Sequence, residues 1–316
     1  MRLSALDCLR RGWANLSANW ELVLLRWIGS FLSLVLMILG LVLSLAILGV
    51  DLGRPGGIAA REIEDALRRL ADATPALPFA LTAALAVWLL TLLFHCFLQA
   101  GTYGILTAAD RQALPGPGRH KLLFRTFSLR DFLGWGGLYV WRFFRMLVLY
   151  WMLILLMGFV LLAWLIFLFV GGAQWGGGAA FGIGCGGALP LLFLALVLGL
   201  WSSVAEAGLA RESSGVLTAS RQGLSVLGHR LGAVIALFIV FLGATFALAA
   251  AFVPVSAATD TLLTGAPRVR ALVQLILLLL QSLPNALLTM ALAGSLVALV
   301  RSEMLSEIRK PEVQTA

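Results

Sequence analysis

Five stretches of this chain contain no Asp, Glu, Lys or Arg: residues 27–50, 73–109, 146–205, 231–259 and 271–300. That pattern constrains the fold more than any motif, because a charged side chain at the centre of a bilayer costs roughly 2.5–3.5 kcal/mol even on insertion scales. A crossing helix needs about 20 apolar residues. Four runs hold one crossing each, and the third, 60 residues long, holds two. The runs lack the apolar/polar alternation of a membrane β-barrel strand, so the expected fold is all-α and polytopic, with six transmembrane helices. Composition agrees: 61% of residues are hydrophobic and 12% charged, with a mean hydropathy of +0.98, against about 25% charged in soluble domains. The whole chain, 1–316, reads as one membrane domain. Its spans fall at about 22–50, 79–106, 146–170, 181–203, 231–253 and 271–300, and an outer segment occupies 51–77.

Basic residues set the expected orientation, since Lys and Arg collect on the cytoplasmic side. With the N-terminus inside, the inner segments carry 17 Lys+Arg and 9 acids and the outer segments 6 of each, which places the full net charge of +8 on one face. Both termini are then cytoplasmic, in a bacterial cytoplasmic (inner) membrane. The first apolar run exceeds a signal-peptide core of roughly 7–15 residues and is expected to stay as an anchor. Basic residues spread over four membrane-flanked segments suit anionic headgroups rather than nucleic acid. Cys8, Cys96 and Cys185 lack metal-ligand or disulfide spacing.

Each pair of spans is preceded by a stretch with helical hydrophobic period. In 1–20, Leu6, Leu9, Trp13 and Leu16 share one side and Asp7, Arg11 and Asn15 the other. In the second, Leu129, Phe132, Leu133, Val140, Phe143 and Phe144 oppose Arg130, Asp131, Arg142 and Arg145. In the third, Val216, Leu217, Leu224 and Leu227 oppose Gln222, Ser225 and His229. The chain therefore reads as three hairpins, each preceded by a cytoplasmic amphipathic elbow helix, with copies beginning near Met1, Lys121 and Ser213. The outer segment contains REIEDALRRL, a two-turn helical stretch with Ile63, Leu67 and Leu70 on one side and the ion pairs Glu64–Arg68 and Asp65–Arg69.

Gly182, Gly184 and Gly187 match the G-x-G-x-x-G spacing of a dinucleotide-binding turn, and Glu206 follows at about the offset of a ribose-binding acid. Such a turn needs a soluble βαβ unit. Here a span precedes it and Glu206 falls at the far end of the next. The glycines are expected instead to form a tight outer turn at 171–178 and, through Gly178, Gly182 and Gly186, a small-residue packing face, with Pro190 as a kink.

Polar residues inside the spans are the candidate site. Thr91, His95, Gln99 and Tyr103 fall four apart on one helix face, with His95 as the ionisable residue well inside a span; Gln274, Gln281 and Asn285 lie along span six beside Pro284. These amides are expected to bond across to span two, or to line a path with it. The basic residues expected to read lipid headgroups are Arg10, Arg11, Arg119, Lys121, Arg125, Arg130, Arg142 and Arg145. No carboxylate pair within a span, H-E-x-x-H, P-loop or nucleophile with an adjacent base is present. Neither catalysis nor a cofactor or metal site is expected.

The pieces LRRGWANLSANWELVLLRW, LQAGTYGILTAADRQ, FSLRDFLGWGGLYVWRFFRMLVLYW and EAGLARESSGVLTASRQGLSVLGHRLGAVIAL give the chain an arrangement that resembles a loosely defined family of bacterial and archaeal six-helix membrane proteins. That family includes the membrane domain fused to some glycerophosphodiester phosphodiesterases. The fused hydrolase is missing here, so the resemblance implies a membrane-organising or accessory role binding lipid or a membrane protein partner. The other function class open to the sequence is a small transporter or channel with a polar path between spans two and six.

Overall fold

The computed structural model describes residues 3–47, 76–113, 121–175, 177–210 and 215–314, and among them finds helices and no strand. The outer segment with its REIEDALRRL stretch, and Arg119, lie outside the described residues. The helices are α1 (Ala5–Ala18), α2 (Glu21–Ile47), α3 (Ala76–Gln112), α4 (Leu129–Trp175), α5 (Gly177–Leu209), α6 (Val216–Leu262) and α7 (Pro267–Gln314), with a 3-10 turn at Lys121–Phe124. Six of these, α2 to α7, are long and apolar enough to cross a membrane, so the chain is a multi-pass integral membrane protein. Their large side chains face outward over most of their length, as in Phe31, Leu39, Trp88, Phe159, Phe169, Leu192, Phe246 and Leu275. Hydrocarbon, unlike water, imposes no penalty on that arrangement.

The three lead-in stretches take three different forms. The first is a separate helix, begun by a capping box in which Ser4 Oγ accepts from the Asp7 amide at 3.1 Å and Asp7 Oδ2 accepts from the Ser4 amide. The bonds from Ser4 hold the Asp7 carboxyl below its ordinary range. The second runs without a break into α4, whose 47 residues reach about 70 Å, more than twice the hydrocarbon thickness of about 30 Å. The third is set off from the rest of α6 by a kink at Arg230, where φ is −133° and ψ 24°. Of the stretch expected to form a turn, 171–175 is helical in α4 and Gly177 and Gly178 begin α5, while Gly176 lies outside the described residues. Helical geometry satisfies their backbone groups internally, which a bilayer demands.

The packing closes into a ring of three units. The end of α3 lies on the start of α4, with Gly101 against Phe132, Gly104 against Trp135 and Gly136 against Phe97. The end of α5 lies on the start of α6, where a Cβ on Gly223 would come within 3.2 Å of the Ala205 amide nitrogen. The end of α7 lies on α1, where a Cβ on Gly12 would come within 2.8 Å of Ser295 Cα and run into its amide nitrogen. Each return helix thus meets the lead-in stretch of the next unit, and the last meets the first. At Gly12 the approach is to main chain and requires glycine, whereas at Gly101, Gly104 and Gly136 an added Cβ would meet an aromatic ring. Of the expected Gly178/Gly182/Gly186 face, Gly186 meets open space, and α5 approaches α4 through Gly187 against Trp164; the surroundings of Gly178 and Gly182 lie outside the described residues.

The main core sits at the α1 end of this ring, with Tyr139, Phe143, Leu106, Leu296, Leu299, Val204 and Val234. Stacked Tyr103 and Phe143 rings, centroids 5.6 Å apart, join α3 to α4. Trp201 Nε1 donates to the Ser220 carbonyl at 3.0 Å and joins α5 to α6.

Candidate functional site

α1 does not sort its sides as a helix in water does. Leu6 at 53%, Trp13 at 46% and, just beyond the helix, Trp20 at 54% are exposed, whereas Leu16 at 3% is buried and Leu9 packs against the core. The polar side is turned into the protein. Asn15 Nδ2 donates to the Leu106 carbonyl at 2.9 Å. Arg11 Nε donates to Asp110 Oδ1 at 2.5 Å, and its Nη2 reaches the carbonyls of Asp110 and Ala113. The inward turn of Arg11 and Asn15 has a physical cause: carbonyls at the end of α3, from Leu106 to Asp110, and of Ala113 just past it take their donors. Arg301, from α7, donates through Nη1 to Asp110 Oδ2 at 2.9 Å and to the Asp110 carbonyl. One buried carboxylate therefore holds α1, α3 and α7 together.

Two further contacts fasten the same end. Asn19 follows α1 and is fully buried; its Nδ2 donates to the Phe124 carbonyl at 2.7 Å and its Oδ1 accepts from the amides of Thr126 and Phe127. Arg125 forks onto Glu21 at 2.5 and 2.8 Å and also donates to the Ala18 carbonyl. On the other side of α1, Arg230 at the α6 kink lies 3.5 Å from Glu303 Oε2 and donates to the Leu3 carbonyl. Cys8, packed inside, is a free thiol that burial pushes up to about 12, so it stays neutral and unreactive.

Deeper in the spans lies a second cluster. Arg26 Nη2 meets His95 Nε2 at 3.4 Å between α2 and α3, and its Nη1 is buried with no hydrogen-bond partner. The Glu206 carboxylate of α5 interacts with the Arg26 charge, as do Tyr103 and Cys96. Three helices thus converge on one guanidinium. His95 was expected to be the ionisable residue well inside a span; it is joined there by Arg26 and Glu206. The charge-free runs exclude both, since they define spans by the absence of charge, yet α2 begins five residues before Arg26 and α5 continues past Glu206. Such a group can serve as an ion pair between helices, or line a path or binding site.

The predicted polar residues divide between these places. Tyr103 is buried and Gln99 half-buried on the His95 side of α3. Thr91 Oγ1 donates back to the Val87 carbonyl. Gln274 bonds within its own hairpin, to Asp260 Oδ1 at 3.2 Å and Ser256 Oγ at 3.4 Å, rather than across to α3. Gln281 and Asn285 are half-buried, Asn285 with a buried, unpartnered Oδ1. The link from α7 to the Arg26 neighbourhood comes through Ser282, which accepts from Trp27 Nε1 at 2.7 Å.

Of the basic residues expected at headgroups, Arg10, Arg130 and Arg145 are exposed. Arg142 lies 4.8 Å over the Tyr139 ring, and Arg125 is held by Glu21. Arg11 points inward, and the Lys121 side chain lies outside the described residues. Sequence reasoning missed Asp110, Arg301, Arg230 and Glu303 as a set, because their partners are 99, 191 and 227 residues away along the chain, or 73 for Arg230 and Glu303, and no local spacing marks them. Compared with family models, curated proteins and solved structures, the chain matches none.

Proposed function

We propose that this protein is a non-enzymatic membrane-organising or accessory protein of the bacterial inner membrane, its α1 end in the cytoplasm, binding anionic lipid and a membrane protein partner at that end. The observation that carries the reading is the outer side of α1. Leu6, Trp13 and, just past the helix, Trp20 are exposed there beside Arg10, the composition of a helix lying in a bilayer surface. Exposed Arg130 and Arg145 on the start of α4 extend the same basic rim. The resemblance to the six-helix family supports an accessory role. Neutralising Arg10, Arg130 and Arg145 together to Gln is expected to weaken flotation of the purified protein with liposomes rich in phosphatidylglycerol, and more so at low salt. Unchanged flotation overturns the lipid part.

A second reading, a small transporter or channel, is favoured by one observation: the Arg26–His95–Glu206 cluster with an unpartnered guanidinium nitrogen inside the spans. The unpartnered Asn285 Oδ1 extends the polar character toward α7. In proteoliposomes this reading expects a proton or small-ion flux that His95→Phe and Glu206→Gln each abolish. A flux equal to that of empty liposomes removes it.

A further inference from the structure

The contact between Arg26 and His95 fixes a protonation state as well as a position. An arginine side chain has N–H donors, no acceptor, and no neutral form in proteins. The bond between Arg26 Nη2 and His95 Nε2, 3.4 Å apart, therefore requires Nε2 to be the acceptor. The ring proton of His95 is then on Nδ1 and the ring is neutral, because an imidazolium would turn a second donor and a second positive charge on the guanidinium. His95 takes up a proton at Nε2 only by giving up Arg26. Glu206 is placed differently. Ser202, Leu209 and Ala210 share its face of α5 at helical spacing and are buried, so that face points into the protein. Glu206 itself is only half-buried, and its accessible surface therefore opens between the helices. The groups that interact with its charge are Arg26 from α2 and Tyr103 and Cys96 from α3. The span portions of α4, α6 and α7, within 146–175, 231–259 and 271–300, bring no Asp, Glu, Lys, Arg or His. Nor is the pair with Arg26 closed: Arg26 Nη1 has no hydrogen-bond partner, so Glu206 does not receive the two-pronged guanidinium fork that locks a carboxylate in place.

We infer that Glu206 is the proton-binding group of this cluster and that His95 is a positioning residue, neutral with its proton on Nδ1, which holds the Arg26 guanidinium opposite Glu206 and carries no proton itself. On loading, a proton from water adds to a carboxylate oxygen of Glu206, and the Arg26–Glu206 pair gains one positive charge. On release the same O–H bond breaks, the proton returns to water, and the pair is again neutral. No bond to a His95 nitrogen changes in either step. The inference deepens the transporter reading, naming the proton as what is moved, and rests on that reading for a path.

Two measurements separate this inference from the reading it rests on. The first is nitrogen NMR of the full-length protein in detergent, isotope-labelled at its histidines, with His95→Gln identifying the signal. At neutral pH it is expected to show His95 protonated on Nδ1 and bare on Nε2. A proton on Nε2, or on both nitrogens, overturns the role of His95 whatever the protein transports. The second is proton flux into proteoliposomes under a pH gradient, with variants that elute with the wild type on size exclusion. Flux is expected to be lost in Glu206→Gln and kept in Glu206→Asp, which retains a carboxylate. It is expected to be lost in His95→Phe and kept in His95→Gln, whose amide oxygen accepts from Arg26 in place of Nε2. Flux lost in His95→Gln makes His95 a carrier and overturns the inference, as does flux kept in Glu206→Gln. A wild-type flux equal to that of empty liposomes removes the transporter reading and the carrier role of Glu206 with it, while the NMR result still decides the role of His95.

Discussion

Replacing Asp110 with Ala is expected to leave little folded protein. The carboxylate is 1% exposed as a residue and neutralises two guanidinium groups, Arg11 at 2.5 Å and Arg301 at 2.9 Å. Removing one partner of a buried pair typically costs about 3–5 kcal/mol because the other charge stays buried without compensation; here two cations are left facing one another. The effect comes from desolvated charge rather than lost volume, so the shape-preserving Asp110→Asn should be nearly as damaging. Combining Asp110→Asn with Arg11→Met should recover much of the loss, since one stranded cation goes with its partner. The measurement is thermal unfolding of detergent-solubilised protein followed by size-exclusion chromatography. An Asp110→Ala protein that melts with the wild type shows that the arginines find water or lipid phosphate instead.

The second large effect is expected at Gly12. A single methyl there meets the main chain of Ser295, not the flexible end of a side chain, so the clash cannot be relieved by a rotamer change. Gly12→Ala should destabilise by about 1–3 kcal/mol, the usual cost of overpacking, although in a helix interior the same exchange ordinarily stabilises by about 0.5–1 kcal/mol. Gly12→Leu should release α1 from α7. Gly134→Ala in α4 is the control, because nothing lies within 4 Å of the added methyl, and its melting temperature should hold or rise. Equal behaviour of Gly12→Ala and Gly134→Ala in the same melting assay would show that α1 and α7 do not cross as closely as described.

The six spans were legible in the sequence because hydrocarbon leaves little choice. Residues 27–50 or 271–300 have no other stable placement, and their backbone must close on itself as helix. The helical period of 1–20 was legible for the same reason that any α-helix is, and it correctly put Arg11 and Asn15 on one side. Which residues face inward was not legible, since hydropathy ranks residues against water, whereas Arg11 and Asn15 turn to carbonyls of α3 and Leu16 is buried while Leu6 and Trp13 are exposed. The intramembrane cluster was half legible. His95 stood out, but Arg26 and Glu206 were assigned to the edges by the same rule that found the spans. The Asp110–Arg11–Arg301 contact was hidden by distance along the chain.

The closing of α1 on α7 also has a temporal side. Residues 5–18 are made nearly three hundred residues before Ser295, against which Gly12 finally rests, and Arg301, which shares Asp110 with Arg11. Until α7 is made, α1 has no finished cradle. α7 is then the helix that locks α1, so a chain stalled before residue 290 would be left unlatched and open to quality-control proteolysis.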